Sequence, residues 1–186
     1  MKTFLKMTKH KKCRLWVNDY DFPGSKEVGK VIGKSIASSL QKGVVTTQIA
    51  IEVSLPRNAS NYALVGFEFI PDESRRVTDV SVHVASEQIT YPHDTIALTK
   101  YGVFSGISEE FAQSVLDSAI EVINEIGGFS PGRLIFNIGA YSESGSSIMI
   151  FKLATKALIK ISQLDIENMS DALLQNELEI LLSTRA

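Results

Sequence analysis

The run Tyr141-Ser142-Glu143-Ser144-Gly145-Ser146-Ser147 holds the most site-like chemistry in this chain. Small residues between an alternating segment and a helical one leave backbone N–H groups free, at a helix end that carries partial positive charge. Such a loop suits a phosphate. On that reading Ser142, Glu143, Ser144, Gly145 and Ser146 line it. The plainer reading is a polar turn with a serine N-cap. One glycine only, a glutamate that repels phosphate and no following lysine favour the plainer reading. A second candidate is the basic run Lys9, Lys11, Lys12 and Arg14, either an arm of phosphate contacts or a solvated terminus. No aromatic residue interleaves it, so it lacks a stacking platform.

Other chemistry has less to stand on. His10, His83 and His93 are scattered and share no local motif with Asp, Glu or Cys, so no metal site and no catalytic triad is expected. Cys13 is the only cysteine, which excludes an intrachain disulfide and a cysteine-ligated zinc. No G-x-x-x-x-G-K-S/T run occurs, so a P-loop nucleotide site is excluded. No cofactor is expected. Glu109 and Glu110 suit the positive end of a helix dipole.

These residues must be positioned by a chain of 186 residues, long enough for one sizeable core. Net charge is −2, so no global field commits the protein to nucleic acid or to an anionic membrane. The charge is uneven: basic residues crowd positions 1–42, and Asp165, Glu167, Asp171, Glu177 and Glu179 make the tail acidic. No run approaches the roughly 18 apolar residues of a membrane span. The opening residues lack the apolar stretch of a secretory signal. A cytoplasmic protein with no membrane partner is the expectation.

The elements read as follows. Residues 25–42 carry Val28, Val31, Ile32, Ile36 and Leu40 at helical spacing, with Ser25 as N-cap and Gly43 as C-cap. Residues 44–55 alternate strictly and predict a strand, followed by strands at 62–70 and 75–85 in an antiparallel meander. Residues 86–106 are irregular and read as a covering or functional loop. A helix from Ser108 to Ile126 ends at Gly127-Gly128. A strand from Leu134 to Tyr141 and an apolar helix from Ser147 follow. The tail, with Ser170 as N-cap, is an amphipathic helix that closes the monomer or seeds a dimer.

That order predicts a two-layer α/β sandwich. It has a β-β-β-α-β-α core, a mixed four-stranded sheet, and added helices at both ends of the chain. Its second half is similar to domain IV of elongation factor G. The similarity rests on Ile107-Ser108-Glu109-Glu110-Phe111, Gly127-Gly128, Pro131, Leu134 to Tyr141, Ser146-Ser147 and Met149-Ile150-Phe151-Lys152-Leu153-Ala154. Ile49 to Pro56 and Gly66-Phe67-Glu68-Phe69 add local matches, with a poorly matched insertion at 71–102. The fold is shared with a ribosomal protein domain and with small-molecule kinases, whose Gly-Ser-Ser phosphate loop Gly145-Ser146-Ser147 resembles.

The expectation is a single domain: a basic segment at 1–24, a helix at 25–43, a core at 44–162 that carries the resemblance, and an acidic helix at 163–186. The resemblance implies a non-catalytic binding module that touches RNA or the ribosome. The alternatives are a protein-binding or oligomeric accessory factor, using the tail helix or a sheet edge, and an enzyme acting on a phosphate-bearing small molecule.

Overall fold

The computed structural model describes residues 2–7, 10–18, 28–39, 47–55, 61–98 and 102–183. In chain order these form β1 (Lys2–Lys6), β2 (Lys12–Val17), β3 (Lys30–Ala37), β4 (Gln48–Ser54), β5 (Tyr62–Pro71), β6 (Val77–Val84) and β7 (Val103–Ser105). Then come α1 (Glu109–Glu125), β8 (Gly132–Ser142), α2 (Ile148–Ile161), a short 3-10 turn (Ile166–Asn168) and α3 (Asp171–Leu181). The strands make one sheet in the order β1-β2-β4-β5-β8-β6-β3, with β7 beside β8. Among the described strands, only the pair β6 and β8 runs parallel. No helix among the described residues is long and apolar enough to cross a membrane.

The four-stranded sandwich expected from sequence is therefore not what forms: the sheet has eight strands. Three segments account for the difference. First, residues expected to be a helix at 25–42 contain an edge strand, β3, antiparallel to β6. Ile32 and Ile36 pack on the helix-side core, while Val31, Gly33 and Ser35 face the other way. A helix here would carry Gly29 and Gly33, each costing about 1 kcal/mol relative to Ala. In the strand Gly33 lets β6 approach closely, since a Cβ at that position would stand 2.8 Å from the Val80 carbonyl oxygen. The expected caps Ser25 and Gly43 lie outside the described residues.

Second, the basic front is structured. β1 and β2 form a hairpin, and β2 lies inside the sheet between β1 and β4. Third, β7 pairs with Ala140 to Ser142, beyond Phe136, where the pairing of β8 with β6 stops. The meander is also interrupted. β4 and β5 pair as expected, but β8 sits between β5 and β6.

The main core fills the side facing α1 and α2. Leu15, Ile51, Val65, Phe67, Val82 and Leu134 meet Val115, Ile123, Phe151 and Leu158 there. The Phe111 and Phe151 rings stack with centroids 4.5 Å apart, joining the two helices. α3 packs on α2 through Leu174 and Leu178, which are buried. Ser147 and Ser170 cap α2 and α3 through their side chains. Ser108, read as a cap for α1, makes no such bond.

A second, smaller core lies on the opposite face. Trp16, Tyr62, Leu64, Tyr91, Ile96 and Ile138 belong to it. Residues 86–98 run across this face as a strap, so the irregular stretch is a cover, with β7 at its end. Ile138 and Ala140 reach this core because β8 carries a bulge. Phe136 and Asn137 together stand opposite the single residue Phe67. A bulge adds one residue, so every side chain beyond it changes face. Leu134 and Phe136 point to the helices and Ile138 and Ala140 point away, although all four alternate in sequence.

Candidate functional site

Three places gather polar or open surface: the ion pair under the strap, the turn after β8, and the groove between β3 and α1.

Under the strap, pleating puts Arg14 of β2 directly opposite Glu52 of β4, with Tyr62 of β5 alongside. Glu52 is fully buried. Its Oε1 accepts from Tyr62 Oη at 2.9 Å and from the Ile96 N–H at 3.1 Å, and Thr95 Oγ1 lies 2.8 Å away. Arg14 Nη1 stands 3.3 Å from Glu52 Oε2. The same guanidinium donates to the Asp94 carbonyl at 2.9 Å and to Asp94 Oδ2 at 3.1 Å. Its carbon lies 5.7 Å from the Trp16 ring centroid. Strap residues 94–96 are thus fastened by an ion pair that they also cover.

Burial pushes the Tyr62 and Tyr91 phenols well up, and the Glu52 charge adds to it. The same causes, in the same order, push the buried Cys13 thiol up. A protonated thiol sealed in a core is inert as a nucleophile. Glu52 Oε1 is taken up by Tyr62, Thr95 and Ile96, while Oε2 faces the Arg14 guanidinium without a hydrogen bond of its own among the described residues. The cluster clamps the strap.

The turn after β8 joins β8 to β5. Ser146 Oγ donates to the Tyr62 carbonyl at 2.6 Å and accepts the Ser142 N–H at 2.8 Å. The Gly145 carbonyl accepts from the Asn61 and Tyr62 N–H groups. The N–H groups of Glu143, Gly145 and Ser146 point to the carbonyls of Gly102, Ser142 and Ser142. A phosphate cradle needs such donors free, and here they are occupied. One cleft beside the turn, walled by Ser54, Tyr62, Leu98, Ser142 and Ser144, has about 150 Å³. Pockets for small molecules usually have about 300–1,000 Å³. A second, open cleft of about 410 Å³ is lined by Ser142, Glu143 and Ser146 together with Glu109 and Glu110 of α1, and its three carboxylates repel a phosphate. Ser142 is buried, Gly145 and Ser146 are half-buried, and Glu143 and Ser144 are exposed.

The basic run divides. Lys9 lies outside the described residues, and Lys12 is exposed at the start of β2. Lys11 is buried and its Nζ donates to Ser183 Oγ at 3.1 Å. Arg14 is the strap clamp. The structure brings neither Lys11 nor Arg14 to the surface, and it does not join the run to the Ser142–Ser146 turn. His83, on β6, is half-buried, and burial holds its imidazole below the usual histidine range. Among the described residues no group of three or more His, Cys, Asp or Glu is placed to hold a metal ion.

The third place was hidden by the helix expected at 25–42. β3 ends the sheet, and among the described residues no strand pairs with its outer edge. Beside that edge runs an open groove of about 490 Å³. Ile32 and Lys34 of β3 form one wall, and Leu116, Asp117, Ile120 and Glu121 of α1 form the other. Val31, on the opposite face of the strand, is 55% exposed. Strand edges with unpaired N–H and C=O groups are templates for another strand. Here that template lies along an apolar floor with charged sides.

Comparison of the chain with protein-family models, with curated proteins and with solved structures finds no match.

Proposed function

We propose that the protein is a non-catalytic binding module that takes an extended segment of a protein partner along the outer edge of β3. The observation that carries this reading is the unpaired edge lying directly beside the groove between β3 and α1. An added strand gains main-chain hydrogen bonds from the edge, and its alternate side chains enter the groove, where Ile32, Leu116 and Ile120 supply an apolar floor. The other polar constellations support the reading by being used up. Glu52, Arg14 and Tyr62 bind one another and the strap, and the turn after β8 bonds to β5.

A nucleic-acid partner draws less support. Arg14 and Lys11 are engaged internally. Beyond the strap, the face formed by β3, β6 and the first half of β8 presents Ser35, Ser81, His83, Arg133 and Asn137. No Phe, Tyr or Trp stands there among the described residues to stack on bases.

A photo-crosslinking residue placed at Lys34, and separately at Glu167 on the exposed 3-10 turn, tests the proposal in living cells. Adducts with protein formed at position 34 and not at 167 support it. Equal yields at both positions, or adducts with RNA at 34, refute it.

A further inference from the structure

We infer that the segment seated on β3 is β3 of a second copy of this chain, paired antiparallel about Gly33 to give a continuous sheet across a two-fold dimer. This rests on the reading of the β3 edge as the binding surface and names its occupant.

The register follows from symmetry and charge. Two copies of one strand pair antiparallel about a two-fold axis perpendicular to the sheet. Such an axis keeps the helices of both copies on the same side, so facing residues must share a face of the strand. Among the alignments that satisfy this, one sets Lys34 against itself and another sets Lys30 against Lys34. Like charges placed opposite each other destabilise a strand pair. The alignment centred on Gly33 avoids both and retains the longest overlap. It sets Lys30 against Ile36, Val31 against Ser35 and Ile32 against Lys34.

Charge then favours this occupant. Lys34 is exposed and makes no ion pair among the described residues. In the dimer the partner's Lys34 lies beside Ile32, on the helix side, at the mouth of the groove. The groove there carries Asp117 and Glu121. Asp117 Oδ1 accepts from the Gln113 side chain, and Glu121 Oε1 from Lys156 Nζ, which leaves each carboxylate one further oxygen for a cation. The two-fold axis makes the contact twice. Lysines on an edge usually discourage strand pairing. Here the groove gives each lysine the Asp117 carboxylate, which has no ion pair among the described residues, with Glu121, already paired with Lys156, next to it.

The other end of the sheet fits less well. β1 is only five residues long and has lysine at both ends. The groove described above lies beside β3.

The test uses the full chain. Sedimentation velocity over about a hundredfold range of concentration reads self-association by mass action. A dimer is expected, at least tenfold weaker in Lys34→Glu and restored in Lys34→Glu combined with Asp117→Lys. Circular dichroism checks that each variant is folded. Register is read separately. Residues directly opposite in an antiparallel pair have Cα atoms within disulfide reach. Under oxidation a mixture of Val31→Cys and Ser35→Cys chains should give a covalent dimer, and neither variant alone should. The native Cys13 is buried and does not compete. Crosslinking of Val31→Cys to Ala37→Cys in place of Ser35→Cys overturns the inference, because that register opposes the two Lys34 side chains. A monomer at every concentration also overturns it. If such a monomer still forms adducts with other proteins at position 34, the binding-module reading survives. If those adducts are absent too, both ideas fall.

Discussion

Tyr62 Oη donates to Glu52 Oε1 at 2.9 Å, ten residues back along the chain and one strand away, with both groups sealed beneath residues 94–96. This bond and the Arg14–Glu52 pair tie three strands and the strap to one carboxylate. They explain why a charged pair sits inside a sheet face that otherwise holds Trp16, Leu64 and Ile138.

Breaking that pair from one side should cost more than removing it whole. Arg14→Met leaves a buried carboxylate without its cation, and a loss of about 3–5 kcal/mol in unfolding free energy is expected. Arg14→Met with Glu52→Leu should recover most of it, since apolar volume often replaces a buried pair without penalty. Urea unfolding of the two single variants and the double closes the cycle. Simply additive losses would show that the two residues act independently.

High pH should weaken the fold through its buried phenols and thiol. Tyr62, Tyr91 and Cys13 all have pKa values raised by burial and by the Glu52 charge. A group raised in the folded state stabilises fully below its unfolded pKa and loses that contribution as pH climbs toward the folded value. Stability should therefore decline from about pH 8.5 for the thiol and about pH 10 for the phenols. Of the five tyrosines, Tyr62 and Tyr91 should ionise only with unfolding, seen as a late, cooperative step in phenolate absorbance. Smooth titration of all tyrosines near pH 10 contradicts this.

The crossing of β4 and β5 tolerates no side chain at Gly66. A Cβ there would stand 2.5 Å from Ala50 Cβ and 2.8 Å from the Ile49 carbonyl oxygen. Gly66→Ala should destabilise by about 1–3 kcal/mol through overpacking. Thermal unfolding measures it, and an unchanged midpoint argues against the close approach.

Two serines that look alike in sequence should behave differently. Ser147 Oγ accepts the Ile150 N–H at 3.4 Å and caps α2. Ser147→Ala should cost about 0.5–1 kcal/mol. Ser108 precedes α1 in the same way, but its hydroxyl makes no cap bond and is buried without a partner among the described residues. Ser108→Ala should be neutral or stabilising, because it removes an unsatisfied polar group. Equal losses in chemical denaturation would reverse this assignment.

The segment from 107 to 162 was readable because each element declares itself. Phe111, Val115, Ala119 and Ile123 keep a helical stripe, Gly127 and Gly128 stop it, and Ser147 starts the next helix. β3 was not readable for a definite reason. Lys26, Lys30 and Lys34 recur every four residues, a spacing that fits one face of a helix and equally one face of a strand. Val31, Ile32 and Ile36 fit both as well, and the decision came from β6, which is remote in sequence. Arg14 misled for a similar reason. Its lysine-rich neighbours suggest solvent, and only the register with Glu52 reveals the buried pair. The bulge opposite Phe67 left no trace in the alternation from Leu134 to Ala140. The groove beside β3 became visible only once β3 was a strand.

The placement of β8 between β5 and β6 has a consequence for how the chain comes to be folded. Both flanking strands are complete in sequence by Val84, but the strand that unites them begins at Gly132. Until it arrives, β5 and β6 each have a bare edge where β8 will insert. Closing that gap needs a contact across the whole of α1, which is entropically costly and slow. During synthesis the nascent protein must therefore pass through a period in which two incomplete edges are exposed to other chains.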